Sequence, residues 1–130
     1  MIIQSEMRKL LVTVAALAVL AGALVAAAGA APPPFPKLPG NWSHAEINVK
    51  LKGTPHTLIL DRGRVVQVNA VQLTLREADG SMVTVPLAAT TIYKWKRVAV
   101  RRQVLRRGLF ALTMRVDEGA AVRVRLSLVR

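Results

Sequence analysis

From Ala45 onward, apolar and polar residues alternate with a period of two. Ala45, Ile47, Val49 and Leu51 interleave with Glu46, Asn48, Lys50 and Lys52, which predicts a strand with one buried face. Lys52-Gly53-Thr54-Pro55 interrupts the pattern, and it resumes over His56 to Leu60 with Leu58 and Leu60 inward. Asp61-Arg62-Gly63 is then either a turn or a glycine that lets a long strand bend at a barrel corner. Parity predicts three hairpins beyond it. A two-residue loop Asn69-Ala70 pairs Val68 with Val71 and keeps Val66, Leu73 and Leu75 on the same face. A loop Ala78-Asp79-Gly80 pairs Leu75 with Val83, Leu73 with Val85 and Val71 with Leu87, with Gly80 in the left-handed position. Asp117-Glu118-Gly119 closes the third, with Met114 facing Val122, Leu112 facing Val124 and Phe110 facing Leu126. Val98 to Arg107 fits neither the strand nor the helix period, and Leu105-Arg106-Arg107-Gly108 reads as a short turn ended by glycine.

Seven or eight short strands with no helix in the folded part predict an all-β fold. The expected form is a small closed or partly open antiparallel barrel, OB-like, over residues 45–130. Two segments precede it. Arg8 and Lys9 are followed by nineteen apolar or small residues, Leu10 to Ala28, and then by Ala28-Gly29-Ala30. A charged start, an apolar stretch and an A-x-A site make residues 1–30 a signal peptide and predict an N-terminal hydrophobic leader helix, cut after Ala30. The alternative is an uncleaved anchor. Either way the rest is exported, to be secreted or held at the cell envelope. Residues 31–44 form a Pro-rich linker with five prolines between Pro32 and Gly40, expected to be an extended spacer.

The run Arg62-Gly63-Arg64-Val65-Val66-Gln67-Val68, then Leu73-Thr74-Leu75 through Asp79-Gly80 to Thr84-Val85-Pro86-Leu87, then Thr90-Thr91, resembles small exported bacterial β-barrel domains of unknown function that look OB-like. Leu105-Arg106-Arg107-Gly108 and Met114-Arg115-Val116 match the later part of that pattern. The resemblance implies an envelope or extracellular barrel module and brings no catalytic residues with it.

Chemistry is sparse. The absence of cysteine removes disulfides, thiolate metal sites and thiol nucleophiles. His44 and His56 lack the spacing of a zinc pair and read as surface histidines, so no metal ligand or cofactor is assigned. Ser43, Ser81 and Ser127 have no nucleophile context, and the Asp117-Glu118 pair belongs to a turn. Enzymatic activity is therefore not expected, and a small hydrolase is a distant third reading.

Charge is the feature with functional content. Past Ala30 there are 17 basic and 6 acidic residues. Lys94, Lys96, Arg97, Arg101, Arg102, Arg106 and Arg107 fall within fourteen residues beside Tyr93 and Trp95, and Arg123 and Arg125 lie on the solvent side of the closing hairpin. Together with Trp95, these nine cations are the candidate anion-binding residues. The function expected is a non-catalytic binding module whose partner is an anionic envelope polymer, a lipid headgroup or an acidic protein. A single-stranded nucleic-acid binder is the alternative.

Overall fold

In the computed structural model of the chain, residues 9–13 (backbone only) and 32–128 are described. The strands are β1 (Lys9–Thr13), β2 (His44–Leu51), β3 (Thr54–Val68), β4 (Gln72–Arg76), β5 (Met82–Trp95), β6 (Val98–Val100), β7 (Phe110–Val116) and β8 (Ala121–Ser127). Five of them close a barrel in the order β3, β4, β5, β8, β7 and back to β3. All neighbours in that ring are antiparallel except β5 and β8, which run parallel. Outside the ring, β2 extends the sheet from the first half of β3, and β6 folds back on the end of β5.

Gly63 settles the nature of the Asp61-Arg62-Gly63 step. β3 runs through it without a break, and a Cβ at Gly63 would lie 2.3 Å from the carbonyl oxygen of Arg76. The bend needs a residue without a side chain because the end of β4 closes against it. On one side of the bend β3 pairs with β2, and on the other with β4, while β7 spans both halves.

The strand's two faces serve two cores. Val65, Leu73, Leu75, Val85, Leu109, Ala111, Val124 and Leu126 fill the barrel. Leu58, Leu60 and Met114 point the other way and join Trp42, Ala45, Ile47 and Val49 in a second cluster on the barrel's outer wall. Phe35 and Leu38 cover that cluster. The proline run is therefore free of regular structure as expected, but it is a strap laid on the barrel and not a spacer held away from it. Arg123 fastens the strap by donating to the carbonyls of Pro32 and Pro33, each at 2.8 Å.

The middle hairpin has the expected register: Leu75 lies opposite Val83, Leu73 opposite Val85, and Gly80 is left-handed at φ 88°. The first is shifted. Val68 pairs with Leu73, not Val71, and a bulge separates Val65 from Gln67. Asn69 causes the shift, since its side-chain oxygen accepts from the amides of Val71 (2.9 Å) and Gln72 (3.0 Å) and moves the tip to Ala70-Val71. Val71 is consequently 63% exposed, and Val65 rather than Val66 faces the barrel. The closing hairpin is shifted by one residue, because Arg115 faces Ala121 whereas Met114 faces Arg123. The extra residue is Val122, and this bulge turns it to the outer cluster while Val124 and Leu126 stay in the barrel.

At the start of the chain, Lys9–Thr13 is a strand, where a leader helix is expected. It pairs parallel with β2, whose outer edge offers free backbone donors and acceptors. The remainder of the leader and its cleavage site lie outside the described residues.

Candidate functional site

The outer wall of β5 and β8 carries the positive charge. Parallel pairing sets Lys94 beside Arg125 and Ile92 beside Arg123. Beyond Trp95 the chain reverses through Lys96 and Arg97, both left-handed at φ 49° and 73°, and returns as β6. A two-residue reversal of this hand is favoured by Asn-Gly, so two long cations are held there against local preference. The strap supplies the opposite bank. Lys37 faces the groove, and Phe35 lies under Arg125, whose guanidinium carbon is 4.9 Å from the ring centre. The groove so formed has a volume of about 560 Å³. Six cations (Lys37, Lys94, Lys96, Arg97, Arg123 and Arg125) line it, and no carboxylate does. None of the six has an ion-pair partner among the described residues. Burial holds the Arg123 guanidinium below its ordinary value.

Five of the ten residues singled out by sequence, Lys94, Lys96, Arg97, Arg123 and Arg125, thus converge. The other five do not line the groove. Trp95 is half-buried against the barrel core. Arg102 sits in a single 3-10 turn (Arg102–Val104) and donates to the carbonyl of Asn69, and Arg101, Arg106 and Arg107 are exposed around that turn. The contiguous run divides because β6 reverses the chain after Arg97. Lys37 and Phe35 were missed because a proline run carries no periodicity from which a docked face can be read.

A second polar group lies at the barrel rim. Lys52 and Gly53, both with positive φ, make a tight reversal that pairs Leu51 with Thr54 and, seven steps on, His44 with Asp61. His44 Nδ1 is 2.7 Å from Asp61 Oδ1, and its Nε2 is 3.0 Å from Glu46 Oε2. Asp61 is 1% exposed. Glu77, 8% exposed, follows β4 and reaches the same place because Gly63 admits the backbone at Arg76-Glu77. Its Oε1 accepts from Ser81 Oγ at 3.1 Å. Asp61 Oδ2 and Glu77 Oε2 are buried and meet no N–H or hydroxyl donor; the two carboxyls hydrogen-bond each other only by sharing a proton.

The charges respond accordingly. Hydrogen bonding to Asp61 raises His44 to about 9, against the opposing effect of burial and with help from Glu46. Burial, together with the adjacent Asp61, pushes Glu77 up to about 8. For Asp61 burial is the largest influence and acts upward, but hydrogen bonds to His44 and Glu77, with the nearby His44 and Arg115 charges, together outweigh it and the carboxyl lies below its usual range. The sequence reading of His44 as a lone surface histidine is corrected: both its ring nitrogens meet carboxylates. The usable signal was the Lys52-Gly53 reversal, which dictates the 44–61 pairing once it is recognised as a two-residue turn. His56 meets Asp117 in a separate, exposed pair, and that contact with the Thr57 amide lowers Asp117.

Comparison with protein-family models, with curated proteins and with solved structures finds no match.

Proposed function

We propose that this chain is an exported, non-catalytic binding module that holds phosphate or carboxylate groups of an anionic envelope polymer, a lipid headgroup or an acidic partner in the groove between β5, β8 and the proline strap. One observation carries the reading: three separate segments deliver six cations to one groove without a compensating acid. Like charges side by side, such as Lys94 and Arg125, repel. Such an arrangement is relieved by an anion bound across it, and guanidinium forks suit phosphate and carboxylate oxygens. The charged start, apolar stretch and Ala28-Gly29-Ala30 step support export. The ring order of the five strands, with one parallel pair, supports reading the barrel as OB-like.

That barrel type also favours a second reading, binding of single-stranded nucleic acid. Base stacking needs exposed rings, and Phe35, Trp42, Tyr93, Trp95 and Phe110 are all buried or half-buried. Charge, and not stacking, therefore dominates the groove.

The test compares binding of the chain to anionic vesicles, an anionic wall polymer and a single-stranded oligonucleotide as salt is raised. Lys94→Ser/Lys96→Ser/Arg125→Ser should weaken binding at least tenfold and flatten its salt dependence, whereas Arg101→Ser/Arg106→Ser/Arg107→Ser should leave most of it. Equal loss in both variants would rule out the groove as the site. A strong preference for the oligonucleotide would favour the second reading.

A further inference from the structure

We propose that His44, Asp61 and Glu77 bind a single divalent transition cation of the Zn²⁺ or Mn²⁺ class, at a site separate from the basic groove. One donor atom from each lies within 4.8 Å of the others. They come from three different stretches of chain: the start of β2, the middle of β3 and the turn after β4. Gly63 is the reason they meet, since any side chain there would keep the Arg76-Glu77 backbone away.

An independent observation points to a ligand. Asp61 Oδ2 and Glu77 Oε2 are buried, in residues at most 8% exposed, and meet no N–H or hydroxyl donor; the two carboxyls pair only by holding a proton between them. Two carboxylates left this way are costly unless a cation or a shared proton lies between them. Within the protein, His44 supplies at most one positive charge to these two acids, and the Arg115 guanidinium is bound to the carbonyls of Glu118 (2.7 Å) and Gly119 (2.8 Å). A dication matches two carboxylates and one neutral imidazole in charge.

The donor set also selects the metal. One imidazole nitrogen with two carboxylate oxygens suits Zn²⁺ or Mn²⁺, while Mg²⁺ and Ca²⁺ prefer oxygen throughout. Donors about 2.1 Å from a tetrahedral ion stand about 3.4 Å apart. The three donor atoms, within 4.8 Å of one another, would have to adjust by about 1 Å to reach that spacing. With Nδ1 turned to the ion, Nε2–H still donates to Glu46, the carboxylate–histidine–metal relation that orients a ligating ring. A surface groove of about 420 Å³ runs past His44, Glu46 and Arg115, so the site is reached from solvent on the His44 side.

The experiment is a titration of the tag-free, chelator-stripped full chain with Zn²⁺, Mn²⁺ and Mg²⁺, read by calorimetry and by the ring NMR signals of its two histidines. Zn²⁺ or Mn²⁺ should bind one to one and move the His44 signals while leaving His56 in place, and Mg²⁺ should not compete. Glu77→Gln and His44→Gln should each weaken binding by at least about 30-fold, and Glu46→Gln by about tenfold. Lys94→Ser/Arg125→Ser should leave it unchanged, so failure here and failure of the groove reading are distinguishable. The ring signals of the unaltered chain decide the matter even where a variant does not fold. Absence of saturable binding, a shift of His56 instead of His44, or full affinity in a folded Glu77→Gln chain would overturn the site.

Discussion

The groove and the rim cluster handle charge in opposite ways. In the groove, six cations line an open surface, Arg123 half-buried under the strap and the others more exposed, and two of them, Lys96 and Arg97, occupy backbone positions that favour glycine or asparagine. At the rim, one histidine and two acids are gathered out of water, and each hydrogen-bonds at least one neighbour. Exposed like charges still repel, but water and salt screen them enough for the fold to carry them without a built-in partner. They are free to meet a large ligand. Buried charges must be compensated in place, so the rim is built around backbone closure and a small, nearby counter-charge. The difference teaches where each region is fragile: the rim in its backbone geometry and protonation, the groove in its ligand affinity.

The harshest way to break the comparison is Gly63→Val. The new side chain would strike the Arg76 carbonyl, and unfolding in urea should show a loss of about 3 kcal/mol. Stability kept within 0.5 kcal/mol, with the rim intact, would refute the role given to backbone closure.

Protonation comes next. Glu77 and His44 both have folded-state values above their unfolded ones, near 8 against 4.5 and near 9 against 6.5. Their contribution is thus complete below the unfolded values and is lost as pH rises toward 8 for Glu77 and toward 9 for His44. In chelator, the unfolding free energy measured in urea should fall between pH 5 and pH 9, by an amount on the order of 2 kcal/mol. Glu77→Gln should flatten the lower part of that fall and stabilise the chain near pH 8. An unchanged pH profile in this variant would remove Glu77 from the rim's account. Lys94→Ser, on the groove, should leave the slope as it is.

The groove is sharpened by its own strained tip. Lys96→Asn/Arg97→Gly should raise stability by about 1 kcal/mol while weakening polyanion binding, since both positions have positive φ. A variant neither more stable nor weaker in binding would show that these two cations matter to neither fold nor ligand. Val71→Thr, at the exposed tip of the β3–β4 turn, is the smallest effect: stability should change by less than about 0.5 kcal/mol. A loss above about 1 kcal/mol would restore the inward Val71 that simple alternation predicts.

Much of the strand content and one complete hairpin register were legible along the chain. Leu73, Leu75, Val83 and Val85 alternate without interruption, and Gly80 marks its turn, so period two and turn chemistry agree. The other two registers slipped for local reasons that alternation does not carry. Asn69 bonds two amides ahead of it and displaces the tip, and the bulge at Val122 inserts a residue that parity counts as paired. Of the candidate anion site, Lys94, Lys96, Arg97, Arg123 and Arg125 were readable as charge. Lys37 was not, because its place depends on how the strap lies.

What the sequence by itself determined is what short-range physics decides: which face of each strand is apolar, where chains reverse, and how much positive charge the domain carries. The tertiary structure alone decided the rest. Closing β3 against β7 and crossing to β8 gave β3 two cores instead of one, and it sent Lys94–Arg97 and Arg101–Arg107 to different places although they adjoin in sequence. The same closure brought His44, Asp61 and Glu77 together from three stretches of chain. Side-chain alternation spans a few residues, whereas these meetings depend on which strands become neighbours, and that is set by packing the whole barrel at once.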